Sequence, residues 1–186
     1  AVPFGKYIPK EGGIRACVSS WRRVNDTAIP ARAKIIGAYV NSAFSKTEAH
    51  LNGFDEAIVL TEDGHVSEGS AENIFLVRNG QLITPPVTDN ILEGITRATL
   101  MDLARQELGI PTVERRIHRT ELYIADEAFF CGTGVELVPI AEVDHRPVGT
   151  GEVGPITRRL SDLYSRVVRG QVPAYLHWCT PVYEGA

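Results

Sequence analysis

The chain has 186 residues, a formal net charge of −4, and 44% apolar against 23% charged residues. That is the make-up of one ordinary globular domain with length enough for a sizeable core. A balance this mild supplies no basic face for nucleic acid or an anionic membrane surface, and no apolar run approaches the roughly 20 residues that span a bilayer. Cys17, Cys131 and Cys179 are too few and too scattered for a disulfide framework or a zinc site. A reducing, cytoplasmic setting is expected, with no signal peptide, internal repeat or low-complexity segment.

Residues 1–13 are rich in Gly, Pro and charge and read as a linker or domain edge. An extended stretch is expected over Ile14 to Trp21, with a turn at Asn25-Asp26. From Gly37 the pattern turns helical, and Val40, Ala43, Phe44, Thr47 and Leu51 form an apolar face that Gly53 terminates. A strand over Ala57 to Thr61, the turn Glu62-Asp63-Gly64, a strand over Ile74 to Arg78, the turn Asn79-Gly80 and a return over Leu82 to Thr84 predict an antiparallel meander. A second helix opens near Gly94 with Ile95, Ala98, Met101, Ala104 and Leu108 inward, and Gly109 and Pro111 close it. There follow a strand over Thr112 to Ile117, a short helix over Arg119 to Ala125, and strands over Glu127 to Cys131 and Leu137 to Val143. The last helix buries Ile156, Leu160, Leu163 and Val167, and the tail Val172 to Tyr183 is expected to pack without regular structure.

Four places in this order carry chemistry. Of only four lysines, Lys34 alone is flanked by apolar residues, Ala33, Ile35 and Ile36. Burial there would lower its pKa and suit it to bonding a carbonyl carbon; alternatively its stem packs on the core while the amine reaches water. Glu68 and Glu72 lie in Val66-Ser67-Glu68-Gly69-Ser70-Ala71-Glu72-Asn73, between two strand-forming runs. A carboxylate at the end of a buried strand needs a partner, although a solvated turn fits the same residues. Gly94-Ile95-Thr96 at a helix start is a ready anion site or an ordinary helix start. Gly132-Thr133-Gly134 again lets a ligand approach backbone N–H groups. There is no GxGxxG, P-loop or HExxH motif and no recognisable Ser/His/Asp set, His50 and His118 reading as surface residues. A lysine, a carboxylate and an anion cradle together are the parts of a pyridoxal phosphate site.

The chain resembles the large C-terminal domain of the fold type IV pyridoxal phosphate enzymes, most closely the branched-chain amino acid aminotransferases. The resemblance is carried by Ser19-Ser20-Trp21-Arg22-Arg23, by Lys34 with Tyr39-Val40-Asn41-Ser42, and by the stretch from Val66 to Phe75. Leu92-Glu93-Gly94-Ile95-Thr96-Arg97, Leu122 to Glu127, Gly132-Thr133-Gly134 with Val138-Pro139-Ile140, and Gly154-Pro155-Ile156-Thr157 continue it in family order. It implies an α+β (mixed α/β) fold like that of D-amino acid aminotransferase, a mostly antiparallel pseudo-barrel sheet with surrounding helices. Residues 1–13 would be the interdomain linker and 14–186 the large cofactor-binding domain, with a smaller N-terminal domain lying before it.

The implied cofactor is pyridoxal 5′-phosphate, and the implied reaction is ping-pong transamination of branched-chain L-amino acids with 2-oxoglutarate. Lys34 would form the internal aldimine and carry the proton, Tyr39 would approach the cofactor's phenolic oxygen, and Glu68 would pair with the ring nitrogen. Leu92 would lie on the ring face, Gly94, Ile95, Thr96 and Thr133 would hold the phosphate, and Tyr39, Thr133 and Gly134 would meet the substrate. Glu72 is expected either to support the site from behind or to cap its turn, and Arg97 to form a helix-surface ion pair. Gly134 stands where many family members carry alanine. The resemblance implies an arginine for the phosphate from the small domain, and a homodimer or higher homo-oligomer. It leaves open another fold type IV activity (D-amino acid aminotransferase, (R)-amine transaminase or aminodeoxychorismate lyase) or a non-catalytic scaffold.

Overall fold

A computed structural model describes residues 12–181; most of the expected 1–13 linker and the end of the tail lie outside the described residues. The strands are β1 (Ile14–Arg22), β2 (Glu56–Leu60), β3 (Val66–Gly69), β4 (Asn73–Arg78) and β5 (Gln81–Thr84), then β6 (Thr112–Glu114), β7 (Glu127–Gly132), β8 (Glu136–Val143) and β9 (Arg146–Pro147). The helices are α1 (Tyr39–Leu51), α2 (Ile95–Gln106) and α3 (Pro155–Val167).

Eight strands run in the order β3-β2-β1-β8-β7-β4-β5-β6, with β9 on β8. Five pairings are antiparallel and three parallel, so the sheet is mixed and mostly antiparallel. The hairpins β2–β3 and β4–β5 form as expected, but they do not make one continuous meander. Between β3 and β4 in the sheet stand β2, β1, β8 and β7, although only residues 70–72 connect the two in sequence. A flat sheet would separate them by about 24 Å at the usual strand spacing, and that connection reaches at most about 14 Å. The sheet must therefore curl, bringing the ends of β3 and β4 together.

The curl makes an inner and an outer face, and strand alternation assigns side chains to them. Ile74 and Leu76 of β4 join Ile58, Phe130, Val138 and Ile140 inside the curl. Phe75 and Val77 point the other way, into a layer with Leu100 and Leu103 of α2 and Leu160 and Leu163 of α3. Buried on both sides, β2 and β4 read as continuous apolar runs.

The sequence pattern misassigned two helix faces. In α1 the buried residues are Ser42, Ser45 and Ala49, whereas Val40, Phe44 and Leu51 are exposed. Small side chains let the helix approach β1 and β2 closely. Polar anchors fix it there, with Glu48 accepting from the Ser19 and Ser20 hydroxyls and Lys46 paired with buried Glu56. Outside, Phe44 stacks on Trp21 with centroids 4.7 Å apart. In α2 Ile95 and Ala98 face outward, and Thr96, Arg97, Leu100 and Met101 face inward. The tail is also more regular than expected: Pro173–Trp178 is a 3-10 helix with Tyr175 buried.

α3 has no local side-chain cap at Gly154. Its first free N–H groups are satisfied from across the fold, Ile156 and Thr157 donating to the Glu127 carboxylate of β7 at 3.0 and 2.7 Å. A Cβ at position 154 would overlap that carboxylate, so the close approach requires glycine. Replacing Glu127 with alanine removes a charge-assisted cap and leaves buried N–H groups unpaired. A loss of about 2 kcal/mol is expected, measured as a lowered denaturant midpoint with an unchanged slope.

Candidate active site

Where the curl brings β3 and β4 together, a cavity of about 640 Å³ opens, within the range of small-molecule sites. It gathers the residues singled out in the sequence. Lys34, Tyr39 and Glu68 line it, with Leu92, Gly94, Ile95 and Thr96 on one side and Thr133 and Gly134 on another.

Lys34 follows a 3-10 turn over Ala31–Ala33 and takes a left-handed conformation, φ 50° and ψ 42°. Contrary to the apolar setting expected from its neighbours, it is exposed, because Ile35 and Ile36 are themselves exposed at 41% and 86%. It stands on the cavity rim with its amine 5.9 Å from the ring centroid of Tyr39, the first residue of α1.

Glu68 sits on β3 and is buried to 4% exposure. Its Oε1 is 2.6 Å from Arg23 Nη2, and its Oε2 accepts the Asn73 amide at 2.9 Å and the Leu92 N–H at 3.1 Å. A carboxylate offers about four acceptor positions. Three are filled from the protein, so Glu68 can still accept one N–H from the cavity. Burial pushes its carboxyl up to about 7, against the pull of Arg23. Neither Arg23 nor Asn73 was assigned a role from sequence. The usable signal was the buried carboxylate itself, which requires a cation, and Arg23 directly follows β1.

Asn73 ties the site together. Its Nδ2 also donates to the Leu92 carbonyl at 2.9 Å, and a Cβ on Gly94 would overlap its amide oxygen. Gly94 is therefore needed for close packing, directly before α2. α2 begins with no side-chain cap at Gly94, whereas the start of α3 is plugged by Glu127. With Gly94, Ile95 and Thr96 lining the cavity, the N–H groups of the first turn are placed to receive an anion. The Thr96 hydroxyl lies 3.4 Å from Tyr164 Oη. Thr133 and Gly134, which also line the cavity, occupy the exposed turn between β7 and β8. A Cβ at Gly134 would meet nothing within 4 Å, so alanine fits there as well.

Of two further residues, Arg97 departs from expectation and Glu72 takes one of the two places expected for it, capping its turn. Arg97 is buried rather than on the helix surface, donating to Thr84 Oγ1 and the Pro85 carbonyl and pairing with Glu114 at 2.6 Å. Glu72 is buried in the cavity wall, its Oε2 accepting the Ala71 N–H at 3.0 Å. Burial, and then the charge of Glu56, push its carboxyl up to about 7. Cys131 also reaches the cavity, but burial raises its thiol far from a reactive thiolate. Among the described residues no group of His, Cys, Asp and Glu could hold a metal ion, and no helix is long and apolar enough to cross a membrane.

The set fits pyridoxal phosphate. It offers a lysine amine on the rim, a buried carboxylate with one acceptor free for a ring N–H, and an uncapped helix start for a phosphate.

Comparison with known proteins gives the family. Residues 1–143 match the family model described as amino-transferase class IV. The chain is 52% identical over 181 residues to the probable branched-chain-amino-acid aminotransferase of Aquifex aeolicus, covering 97% of this chain and 58% of that protein. It is 45% identical to the enzyme of that name from Pseudomonas aeruginosa, covering 96% of this chain and 59% of the relative. The chain thus spans a little under three-fifths of these relatives. Among solved structures, the branched-chain aminotransferase of Thermoproteus uzoniensis with norvaline superposes with a TM-score of 0.93 at 52% identity, over 98% of this chain and 60% of that one. The branched-chain amino acid aminotransferase of Thermobaculum terrenum in its PLP holo-form gives 0.90 at 47% identity, over 92% and 56%.

The raised carboxyls have a consequence for stability. The folded protein binds protons at Glu68 and Glu72 more tightly than an unfolded chain does, so their ionisation lowers stability as pH rises from 4.5 toward about 7. Glu72→Gln keeps an acceptor for the Ala71 N–H and removes one of the two contributions. Relative to wild type it should gain on the order of 2 kcal/mol between about pH 5 and pH 8, read from urea midpoints at the two values. No relative gain would mean that Glu72 titrates near its ordinary value.

Proposed function

The chain belongs to the class IV aminotransferases, and from that premise we propose that it is the cofactor-bearing part of a pyridoxal phosphate-dependent branched-chain aminotransferase. Its substrates would be branched-chain L-amino acids and 2-oxoglutarate, used in turn. The observation that carries this reading is the convergence of Lys34, Glu68 and the open start of α2 on one cavity. The relatives named above, at 45–52% identity, support the branched-chain assignment over other fold type IV activities.

When bound, pyridoxal phosphate supplies a carbonyl for the amino group and a ring that accepts the electrons released at Cα. The Lys34 amine would hold it and carry the proton, and its place on an exposed, left-handed turn would leave that amine within reach of a substrate amine. Glu68 would keep a proton on the ring nitrogen through its unused acceptor position, Leu92 would face the ring, and the N–H groups of Ile95 and Thr96 with the Thr133 hydroxyl would hold the phosphate. Tyr39 and the Thr133–Gly134 turn meet the substrate, the turn through backbone donors to its carboxylate.

The arginines at the cavity are already engaged, Arg23 with Glu68 and Arg32 with Glu93, so neither is given the phosphate. That role falls to the small N-terminal domain of the same reading, with residues 1–13 as the linker to it. The reading includes a homodimer or higher homo-oligomer in the cytoplasm. The exposed stripe of Ile36, Val40, Phe44 and Leu51 supports assembly.

Lys34→Ala should abolish both the visible absorbance of lysine-bound cofactor and turnover of leucine or valine with 2-oxoglutarate in the intact protein. Retention of both would remove Lys34 from the chemistry, and preference for D-alanine in wild type would move the enzyme to another branch of the family. Glu68→Gln should keep cofactor binding but slow Cα deprotonation by at least about 100-fold in single turnovers.

A further inference from the structure

Arg23 is engaged at two points. Nη2 meets Glu68 Oε1 at 2.6 Å, and Nε donates to the Asn90 carbonyl at 3.1 Å, with the side chain only 9% exposed. Asn90 belongs to a strap, residues 87–94, that crosses the cavity wall and feeds α2. Other bonds hold the strap as well: Ser67 Oγ to the Asp89 carbonyl at 2.7 Å, Leu92 N to Glu68 Oε2, Asn73 to the Leu92 carbonyl, the Asp26 N–H to Asn90 Oδ1 at 3.2 Å, Arg116 Nε to Asp89 Oδ1 at 2.9 Å, and Arg32 to Glu93. The guanidinium thus joins the carboxylate aimed at the ring nitrogen to the segment carrying the ring-face residue and the phosphate-binding turn. A planar fork with two directed bonds can fix charge and orientation together, which a flexible ammonium cannot.

We propose that Arg23 is the positioning residue of this site, holding Glu68 ionised and oriented while it locks the 87–94 strap at a set distance from it. The proposal rests on the pyridoxal phosphate reading. The charged and titratable groups around Glu68 are Arg23, Lys34 and Arg97, which favour its carboxylate, and Glu72, which opposes it, with the neutral Cys131 thiol beside them. Among the influences that lower the Glu68 carboxyl, Arg23 comes first, ahead of the Leu92 N–H, Lys34 and Arg97. Without Arg23 the carboxyl would be protonated through neutral pH. It would then present a neutral acid to the ring nitrogen and lose its hold on that proton.

The test is an isotope-edited infrared titration of Glu68 in the intact protein freed of cofactor, with Glu68→Gln identifying the band. Arg23→Gln should raise the carboxyl midpoint by about one to three pH units, and Arg23→Lys should recover most of that shift. An unchanged midpoint in Arg23→Gln overturns the proposal. If that variant does not fold, the wild type decides, because the Arg23 guanidinium nitrogen resonances should move with the Glu68 midpoint. A guanidinium silent through that midpoint overturns it equally. In loaded Arg23→Gln enzyme, kcat at neutral pH should fall about tenfold or more with little change in KM, which a merely structural role would not produce. Failure of wild type to take up pyridoxal phosphate would remove the functional reading and leave the carboxyl titration interpretable. Uptake with an unmoved midpoint would remove the Arg23 assignment alone.

Discussion

The burial of Glu68 is the constraint around which this part of the molecule is arranged. A carboxylate removed from water is destabilised by several kcal/mol unless charge and hydrogen bonds compensate. Compensation here comes from three separated places in the sequence: the end of β1, the start of β4 and the strap before α2. Each donor that satisfies Glu68 also fixes a piece of the site. Arg23 holds Asn90, Asn73 holds Leu92, and the Leu92 N–H sets the course of the chain toward Gly94. Satisfying one carboxylate thus orders Asn90, Leu92 and the approach to α2 together, and the same bonds stabilise and position.

The two long helices that pack behind the sheet show how a local requirement separates structure from function. Both lack a side-chain cap at an N-terminal glycine. At α3 a strand carboxylate fills the need from inside the protein, and the result is a structural joint. At α2 no carboxylate does so, and the first turn faces the cavity. In each, the glycine allows a close approach that a Cβ would block, by Glu127 in one and by Asn73 in the other. The same device yields a seal in one place and an open turn lining a cavity in the other, according to what faces the helix.

What was legible in the sequence follows the range of the physics involved. Strands β2, β4 and β7 declare themselves because burial on both faces makes them continuously apolar. Glu68, Thr96 and the Gly132–Gly134 turn could be picked out because polar or flexible residues interrupt such runs. Arg23 could not be assigned, because its role depends on a partner 45 residues away that only the curl of the sheet supplies. The face of α1 was misread for a different reason. Periodicity finds an apolar stripe but not what covers it, and in this chain the sheet takes the small polar stripe of Ser42, Ser45 and Ala49. Lys34 was singled out from a premise that the structure overturns: its apolar neighbours are themselves exposed.

Several departures from local rules meet at one place in the fold. Lys34 and Asn90 take left-handed backbone conformations, Glu68 and Glu72 are buried acids, and α2 starts uncapped. Each is unfavourable on its own. All lie around the joint where residues 70–72 close the curl, while the strands and helices behind it obey alternation and packing with few exceptions. Such clustering is expected where a rigid frame holds a reactive set in a geometry the local sequence would not choose. The frame can do this because β3 and β4 are anchored in opposite arms of one sheet. Moving Glu68 relative to Asn73 would mean uncurling that sheet, so the separation of these two side chains is set by the fold rather than by a flexible loop.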